Sequence, residues 1–523
     1  MPGKKNILKP LGKTAQTAIS PTGYSIVKSG MTSEQIAYIK KDLTLMKTQI
    51  EGYGKQEDKP IVVWLENDNK IYIPRHYGLK KIGVPNRDKL NPGVAIAVPF
   101  VGALREYQLN ILKAWDDQAK KTGGGIISVG AGRGKTVMAI AKIADLKVKT
   151  LIVVWTEDLL DQWRERIEEY MPSARIGEIR GKKLAIMNKD IVIAMIQSLS
   201  NPKKDADYPQ EVFKEFGFVI YDECHHVAAD MFSRCLKKTI FKYTMGLSAT
   251  PNRTDGLTRL IKYYLGEICY KDDSIEKTPE EKALDHIPDA DIRMYNFWCC
   301  DVPYCNEVLN YYKKPQVMSM QSNIADCTKR NDFVLSLLPN LLAEGRKILI
   351  LVTKRDHVAD LLMEIKTRNI ASCGPYVGGM KLKARNESKN QRILIGTYKM
   401  VEEGFDCQAL DTLLMVSPVA NEKSINQSTG RIMRKVKNER VLIPLIIDIV
   451  DQFSCFPRWN KKRVKYYAKR NYRISSYDVN ADKTPLEIKM IYENIWQDPM
   501  SNMSAVIDLG ASSASSEDDM VYD

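Results

Sequence analysis

Residues 128–138 read SVGAGRGKTVM, in which three glycines at alternate positions, Gly130, Gly132 and Gly134, precede Lys135 and Thr136. That spacing is suited to holding a polyphosphate. Glycines accept positive φ and let successive N–H groups close on an anion where a helix begins. Lys135 would then reach the β and γ phosphates as a point charge, and the Thr136 hydroxyl would sit on Mg²⁺. Ala131 and Arg133 complete the loop. The general pattern G-x-x-x-x-G-K-[ST] places a glycine where this chain has Val129, which reads instead as the last residue of a strand. A glycine-rich turn without a ligand fits this stretch taken alone. A second feature narrows the choice: FVIYDECHH sets Asp222 and Glu223 directly after a buried apolar run. Asp222 can hold Mg²⁺ through water, and Glu223 can orient or deprotonate an attacking water, the positioned charges that transfer of a γ phosphoryl group needs.

These groups require a scaffold that brings strand ends together. From about residue 100, strand-like runs GIISV, TLIVVW, DIVIAMI, FGFVIYD and YTMGLS alternate with amphipathic helices. In residues 157–170, Leu159, Leu160, Trp163 and Ile167 share one helical face. Such alternation predicts an α/β fold with a parallel sheet, whose ligands bind beyond the carboxyl ends of the strands. A second alternation follows: KILILVT, a helix carrying Val358, Leu361, Leu362 and Ile365, then QRILIGT, DTLLMVS and the run at 441–450. The expected organisation is a flexible basic arm at 1–30, a small β-containing module at 31–95, a first lobe at 96–270, a linker or insert at 271–330, a second lobe at 331–475, and an extension with an acidic disordered tail at 476–523. Within the module, PIVVWLENDNKIYIP predicts two short strands around an Asn-Asp-Asn turn.

A chain of 523 residues exceeds a single core, and its formal charge of +14 favours a polyanionic partner, nucleic acid first. Its ten cysteines form no regular C-x-x-C pairs, as expected of reduced thiols in an intracellular protein; Cys299, Cys300 and Cys305 alone hint at a metal, and ordinary thiols explain them as well. The most apolar run, VLIPLIIDIV, is about half the length of a membrane span and contains Pro444 and Asp448.

Taken in order, the motifs resemble those of superfamily 2 helicases and translocases: GAGRGKT as motif I, DECH as motif II, SAT at 248–250 as motif III, LIGTYKMVEEGFDC as motif V and QSTGRIMR as motif VI. That superfamily tolerates a non-glycine at Val129. The resemblance spans about residues 100–470 and implies two RecA-like lobes in tandem, ATP and Mg²⁺ as cofactors, and a monomer-capable motor. It implies further that Gln108 reads the adenine edge, that Arg431 and Arg434 reach the phosphates, and that Gly404 and Asp406 lie near the nucleotide. His225, Ser248, Thr250 and Gln427 would couple hydrolysis to movement. His226 has no such role.

Nucleic-acid contacts are implied for Gln197 and Thr397. In VVWTEDLLDQW, Trp155 replaces the family's usual proline, and in IAMIQSL, Met195 stands where a threonine is common. The segment 456–474 could follow a phosphate backbone through Lys461, Lys462, Arg463 and Lys465, or be a solvated helix with buried aromatics. The longer stretch GLSATPNRTDGLTRLIKYYLGEICY resembles the XPB, UvsW and viral branch, and NKIYIPRHYGLKKIG resembles the upstream module of poxvirus-type transcript-release helicases of large cytoplasmic DNA viruses. This implies action on DNA in transcript release or repair, with transcription machinery as a candidate partner and a viral factory, virion or host cytoplasm as the setting. An RNA helicase, a non-catalytic nucleotide-binding scaffold and a helicase–nuclease fusion are the rival readings. The extended motif III counts against the first, the intact Lys135, Asp222, Glu223 and Arg434 against the second, and the want of a convincing nuclease module against the third.

Overall fold

Four runs of the first lobe, Gly124–Ser128, Thr150–Val154, Ile191–Met195 and Phe218–Tyr221, are buried at every residue. Continuous burial of this kind requires a sheet covered on both faces, as parallel sheets are. The computed structural model describes residues 8, 16–46, 60–130, 133–201, 210–225, 229–249, 258–271, 288–402, 405, 407, 409–420, 422–433, 440–470, 472–483 and 487–493. They fall into two compact units, Met1–Glu276 and Lys277–Asp523.

In the first unit an eight-stranded sheet runs in the order Lys183–Ala185, Ile176–Arg180, Ile191–Met195, Thr150–Val154, Phe218–Tyr221, Tyr243–Ser248, Gly124–Ser128, Ile268–Lys271. All neighbours are parallel except the first pair. Helices Glu106–Thr122, Lys135–Leu146 and Glu157–Tyr170 contribute Trp115, Ile140, Trp163 and Ile167 to the core on one face. The last of them starts cleanly because the Thr156 hydroxyl accepts the Leu159 N–H, at 3.2 Å, and Glu157 and Asp158 complement the helix dipole.

Residues of the N-terminal module join the core on the other face, among them Ile19, Tyr24, Ile26 and Tyr77. Its five-stranded sheet has the order Leu65–Glu66, Lys70–Ile73, Gly23–Val27, Thr17–Ser20, Arg87–Asp88. The Asn67 carboxamide oxygen closes the predicted turn, accepting the N–H groups of Asn69 and Lys70 at 3.1 and 2.8 Å. Two of these strands lie in the stretch 1–30 expected to be a flexible arm, because they bury Ile19, Tyr24 and Ile26 despite a polar average composition. Arg75 fixes the module to the lobe: it is 6 % exposed and donates to the carbonyls of Phe241 and Lys242, both at 2.9 Å. A Cβ at Gly123 would lie 1.8 Å from the Arg75 Nη2, so that position, at φ +81°, demands glycine.

The second unit repeats the scheme in the order Cys373–Tyr376, Ile393–Thr397, Ile348–Val352, Thr412–Met415, Leu445–Asp451, Ala290–Trp298, Tyr472–Asn480, Glu487–Glu493. Only the final pair is antiparallel. Ala290–Trp298, within the expected linker, pairs on both edges with strands of this sheet, and the two strands from 472 onward extend it beyond the expected lobe end. The two parallel-sheet lobes expected from the sequence are thus the observed architecture, with the second lobe drawing a strand from upstream.

Candidate active site

The end of strand Gly124–Ser128 shows why Val129 is tolerated. Val129 is fully buried and its N–H donates to the Ser248 carbonyl at 3.1 Å, prolonging the register in which Ser128 faces Ser248. The chain leaves the sheet only after it. Gly134, at φ +77°, then caps helix Lys135–Leu146, so the unpaired N–H groups of the first helical turn and Lys135 stand together at the helix N-terminus. Lys135 Nζ donates to the carbonyls of Val129 and Gly130, at 3.0 and 3.2 Å, and lies 4.0 Å from Glu223 Oε1. Lys135 and Thr136 are both half-buried.

Asp222 extends strand Phe218–Tyr221 by one residue, its N–H donating to the Val153 carbonyl at 3.1 Å. Its carboxylate is held twice: Trp163 Nε1 donates to Oδ2 at 2.8 Å, and the Glu223 N–H donates to Oδ1 at 3.0 Å. Burial and the adjoining Glu223 carboxylate push the Asp222 carboxyl up to about 6. Glu223 takes φ +43°, a left-handed turn uncommon for a side chain of this size, which lifts its carboxylate away from the strand line. Its Oε2 lies 3.4 Å from His225 Nδ1, and that nitrogen is 2.7 Å from Ser248 Oγ. A continuous path therefore runs from Lys135 through Glu223 and His225 to the end of strand Tyr243–Ser248.

Gln108 is 6 % exposed and stitches the loop to the helix before it: Oε1 accepts the Arg105 N–H at 2.9 Å, and Nε2 donates to the Arg133 carbonyl at 3.2 Å. The Arg133 guanidinium lies over the Tyr107 ring at 5.8 Å. Gln197 Nε2 donates to the Trp155 carbonyl at 2.6 Å, tying together the ends of strands Thr150–Val154 and Ile191–Met195.

In the second unit Thr397 closes its strand at 9 % exposure. Arg431 Nη1 donates to the Phe405 carbonyl at 2.8 Å, and Gln427 is 5 % exposed, with an Oε1 that has no hydrogen-bond partner among the described residues. Lys461 and Lys462 are exposed on helix Phe456–Ala468. Arg463 corrects the expectation of a nucleic-acid contact: at 1 % exposure it is ion-paired with Asp448 at 2.8 Å and donates to the Val419 carbonyl, so its charge is spent inside the lobe. Ala131, Gly132, Thr250, Gly404, Asp406, Arg434 and His226 lie outside the described residues.

Trp163 is the site residue that sequence reasoning missed, taken for core alone. A buried indole needs an acceptor for its N–H, and the acceptor here is Asp222.

Two parallel-sheet lobes, the first with Lys135 beside the half-buried Glu223 and the buried Asp222, define the class of tandem RecA-like nucleoside-triphosphate motors. Residues 102–253 match the family described as "Type III restriction enzyme, res subunit", and residues 330–436 match "Helicase conserved C-terminal domain". A protein of Acanthamoeba polyphaga mimivirus, named as an ATP-dependent RNA helicase, is 32% identical over 93% of this chain and 91% of its own length. A protein of Invertebrate iridescent virus 6 named as a helicase is 28% identical over 82% of this chain and 94% of its own. The DNA 3'-5' translocase XPB2 of Sulfurisphaera tokodaii is 26% identical over 66% of this chain and 81% of its own. The chain belongs to the superfamily 2 helicases, and is an ATP-dependent enzyme of that class.

Proposed function

We propose that this helicase couples hydrolysis of Mg²⁺-bound ATP in its first lobe to movement along duplex DNA. The observation that carries the reading is the convergence of Lys135, Asp222 and Glu223 at the carboxyl ends of strands Gly124–Ser128 and Phe218–Tyr221, which flank strand Tyr243–Ser248. The residues fit the group. The N-terminus of helix Lys135–Leu146 and the Lys135 ammonium suit the phosphates, and Thr136 and Asp222 offer oxygens for Mg²⁺. Bound there, the magnesium nucleotide supplies a polarised γ phosphate open to attack by water.

The protein's own groups do the rest. Lys135 exchanges its two backbone carbonyls for phosphate oxygens. Trp163 holds the Asp222 carboxylate in a fixed rotamer. Glu223 orients the attacking water and takes its proton on Oε2, which is buried and makes no hydrogen bond among the described residues. His225 passes the resulting change to Ser248, and so toward Thr250. Gln108 spends one N–H and one lone pair on the backbone, leaving one of each, the pair an adenine edge requires. Arg431, Arg434, Gly404 and Asp406 of the second lobe are assigned to sensing the phosphates, Gln427 to coupling, and Gln197, Thr397, Lys461 and Lys462 to the nucleic-acid backbone.

Transcript release or repair on DNA is the process favoured by the branch resemblance, and the viral relatives support a setting inside an infected cell. Action on RNA is the second reading, favoured by the name of the mimivirus relative. Steady-state ATP hydrolysis with no nucleic acid, single-stranded DNA, duplex DNA and RNA, each at two salt concentrations, separates them. Stimulation by duplex DNA that weakens with salt supports the proposal; stimulation by RNA alone replaces it with the second reading.

A further inference from the structure

Beyond strand Ala290–Trp298 the chain does not pass directly into a helix. It forms an arm, 299–316, that leaves the carboxyl end of the second sheet and returns to it. The base is firmly held. Tyr304 is buried, its hydroxyl donating to Asp451 at 2.9 Å and its ring packing edge-on to Phe453 with centroids 5.0 Å apart. On the return side, Gln321 Nε2 donates to the Pro418 carbonyl at 2.9 Å, and Lys354 Nζ bonds to Ser322 Oγ. The arm therefore rises from the rim at which strands Ile348–Val352 and Thr412–Met415 end.

Its tip presents Tyr311 at 95 % and Tyr312 at 77 % exposure, followed by Lys313 and Lys314, also exposed. The tip is ordered by its own backbone. Asn310 N–H donates to the Lys314 carbonyl at 2.8 Å, and the Asn310 side-chain oxygen accepts the N–H groups of Tyr312 and Lys314 at 2.9 and 3.1 Å. Lys313 takes φ +56°, a conformation that costs energy for a lysine and that the Asn310 contacts hold in place. The two rings stand at 86° to one another, centroids 5.5 Å apart, so both keep a face open to solvent.

Large apolar surface displayed on a rigid support is a binding feature. Both lysines are exposed, so the tip offers positive charge beside π faces. Unpaired nucleobases on their phosphate backbone complement both: bases stack on aromatic rings irrespective of sequence, and the ammonium groups meet the phosphates. We propose that Tyr311 and Tyr312 form a stacking platform for unpaired bases of single-stranded nucleic acid, with Lys313 and Lys314 neutralising the adjoining phosphates. This rests on the nucleic-acid reading above and adds to it a residue-level contact on the second lobe.

The test is fluorescence anisotropy of a labelled oligo(dT) and the matching oligo(U) with the full chain, without nucleotide. Tyr311→Ala/Tyr312→Ala should weaken binding about ten-fold or more, since each base stack lost to alanine is substantial. Tyr311→Phe/Tyr312→Phe, which keeps both rings, should restore it to within about two-fold on the same grounds. Lys313→Ala/Lys314→Ala should instead flatten the salt dependence. ATP hydrolysis without nucleic acid should be the same in all variants, showing the site in the first lobe intact. A 5-iodouracil oligonucleotide should photocrosslink to Tyr311 or Tyr312 in the wild-type chain. Binding by the alanine variant equal to wild type, with no crosslink at either tyrosine, overturns the inference while leaving the motor standing. Failure of the wild-type chain to bind any nucleic acid overturns both.

Discussion

Replacing Val129 by glycine completes the general phosphate-loop pattern, yet the structure predicts a worse protein and no better enzyme. Val129 is fully buried in a core that includes Met138, Ile140 and Leu247, and it continues the strand through its bond to Ser248. Removing its isopropyl group forfeits about 2 kcal/mol of apolar burial. Glycine's greater freedom in the unfolded chain adds about 0.5–1 kcal/mol. Incomplete collapse around the gap brings the total to about 3 kcal/mol. For a unit of this size that is a fall of roughly 6–10 °C in the unfolding midpoint of the first lobe. In the proposed reading the polyphosphate is held by residues after Val129, so the KM for ATP should change less than about two-fold, by the logic that only uniform binding contacts move KM alone. Differential scanning calorimetry and steady-state ATP hydrolysis on the same preparation check both halves. An unchanged midpoint, or a KM lowered several-fold, refutes the assignment of Val129 to the strand.

Trp163→Phe keeps the packing but removes the donor to Asp222 Oδ2, and should lower the apparent affinity for Mg²⁺ in ATP hydrolysis by about ten-fold, as loss of groups orienting a metal ligand does. A magnesium titration unchanged from wild type would remove that role. Arg463→Met leaves Asp448 buried without its counter-charge, with only the Tyr467 hydroxyl still donating to it, and should cost about 3–5 kcal/mol of second-lobe stability in chemical denaturation, without a specific loss of nucleic-acid affinity in the folded protein. Lys461→Ala/Lys462→Ala should leave stability within about 0.5 kcal/mol. It should also lower the slope of log affinity against log salt by about 1–2, measured by anisotropy.

The parts of this protein governed by short-range pattern were legible in its sequence. Buried strands announced themselves as unbroken apolar runs, and the loop before Lys135 and the pair at Asp222 followed strand ends, as chemistry at a parallel sheet requires. What depended on distant partners was not legible. Arg463 looks like its neighbours Lys461 and Lys462 in the chain, and only the fold reveals Asp448 beneath it. The strand Ala290–Trp298 was hidden because its partners Leu445–Asp451 and Tyr472–Asn480 come some 150 residues later or more. Thr17–Ser20 and Gly23–Val27 escaped notice because four or five residues, with Thr17, Gly23 and Ser25 among those they bury, are too few and too polar to stand out from a basic, polar surrounding. Trp163 was half-read: its helical face was evident, its hydrogen bond was not.

The account stands most directly on Glu223. In the Glu223→Gln protein the side chain keeps its size but cannot take a proton, so nucleotide binding should persist while hydrolysis in the presence of nucleic acid falls by about 10²–10⁴-fold. Single-turnover hydrolysis of radiolabelled ATP, with binding measured in parallel by a fluorescent analogue, reads the two separately. Tight binding with stalled turnover is the predicted result; hydrolysis at the wild-type rate would contradict the assignment of this carboxylate and with it the proposed active site.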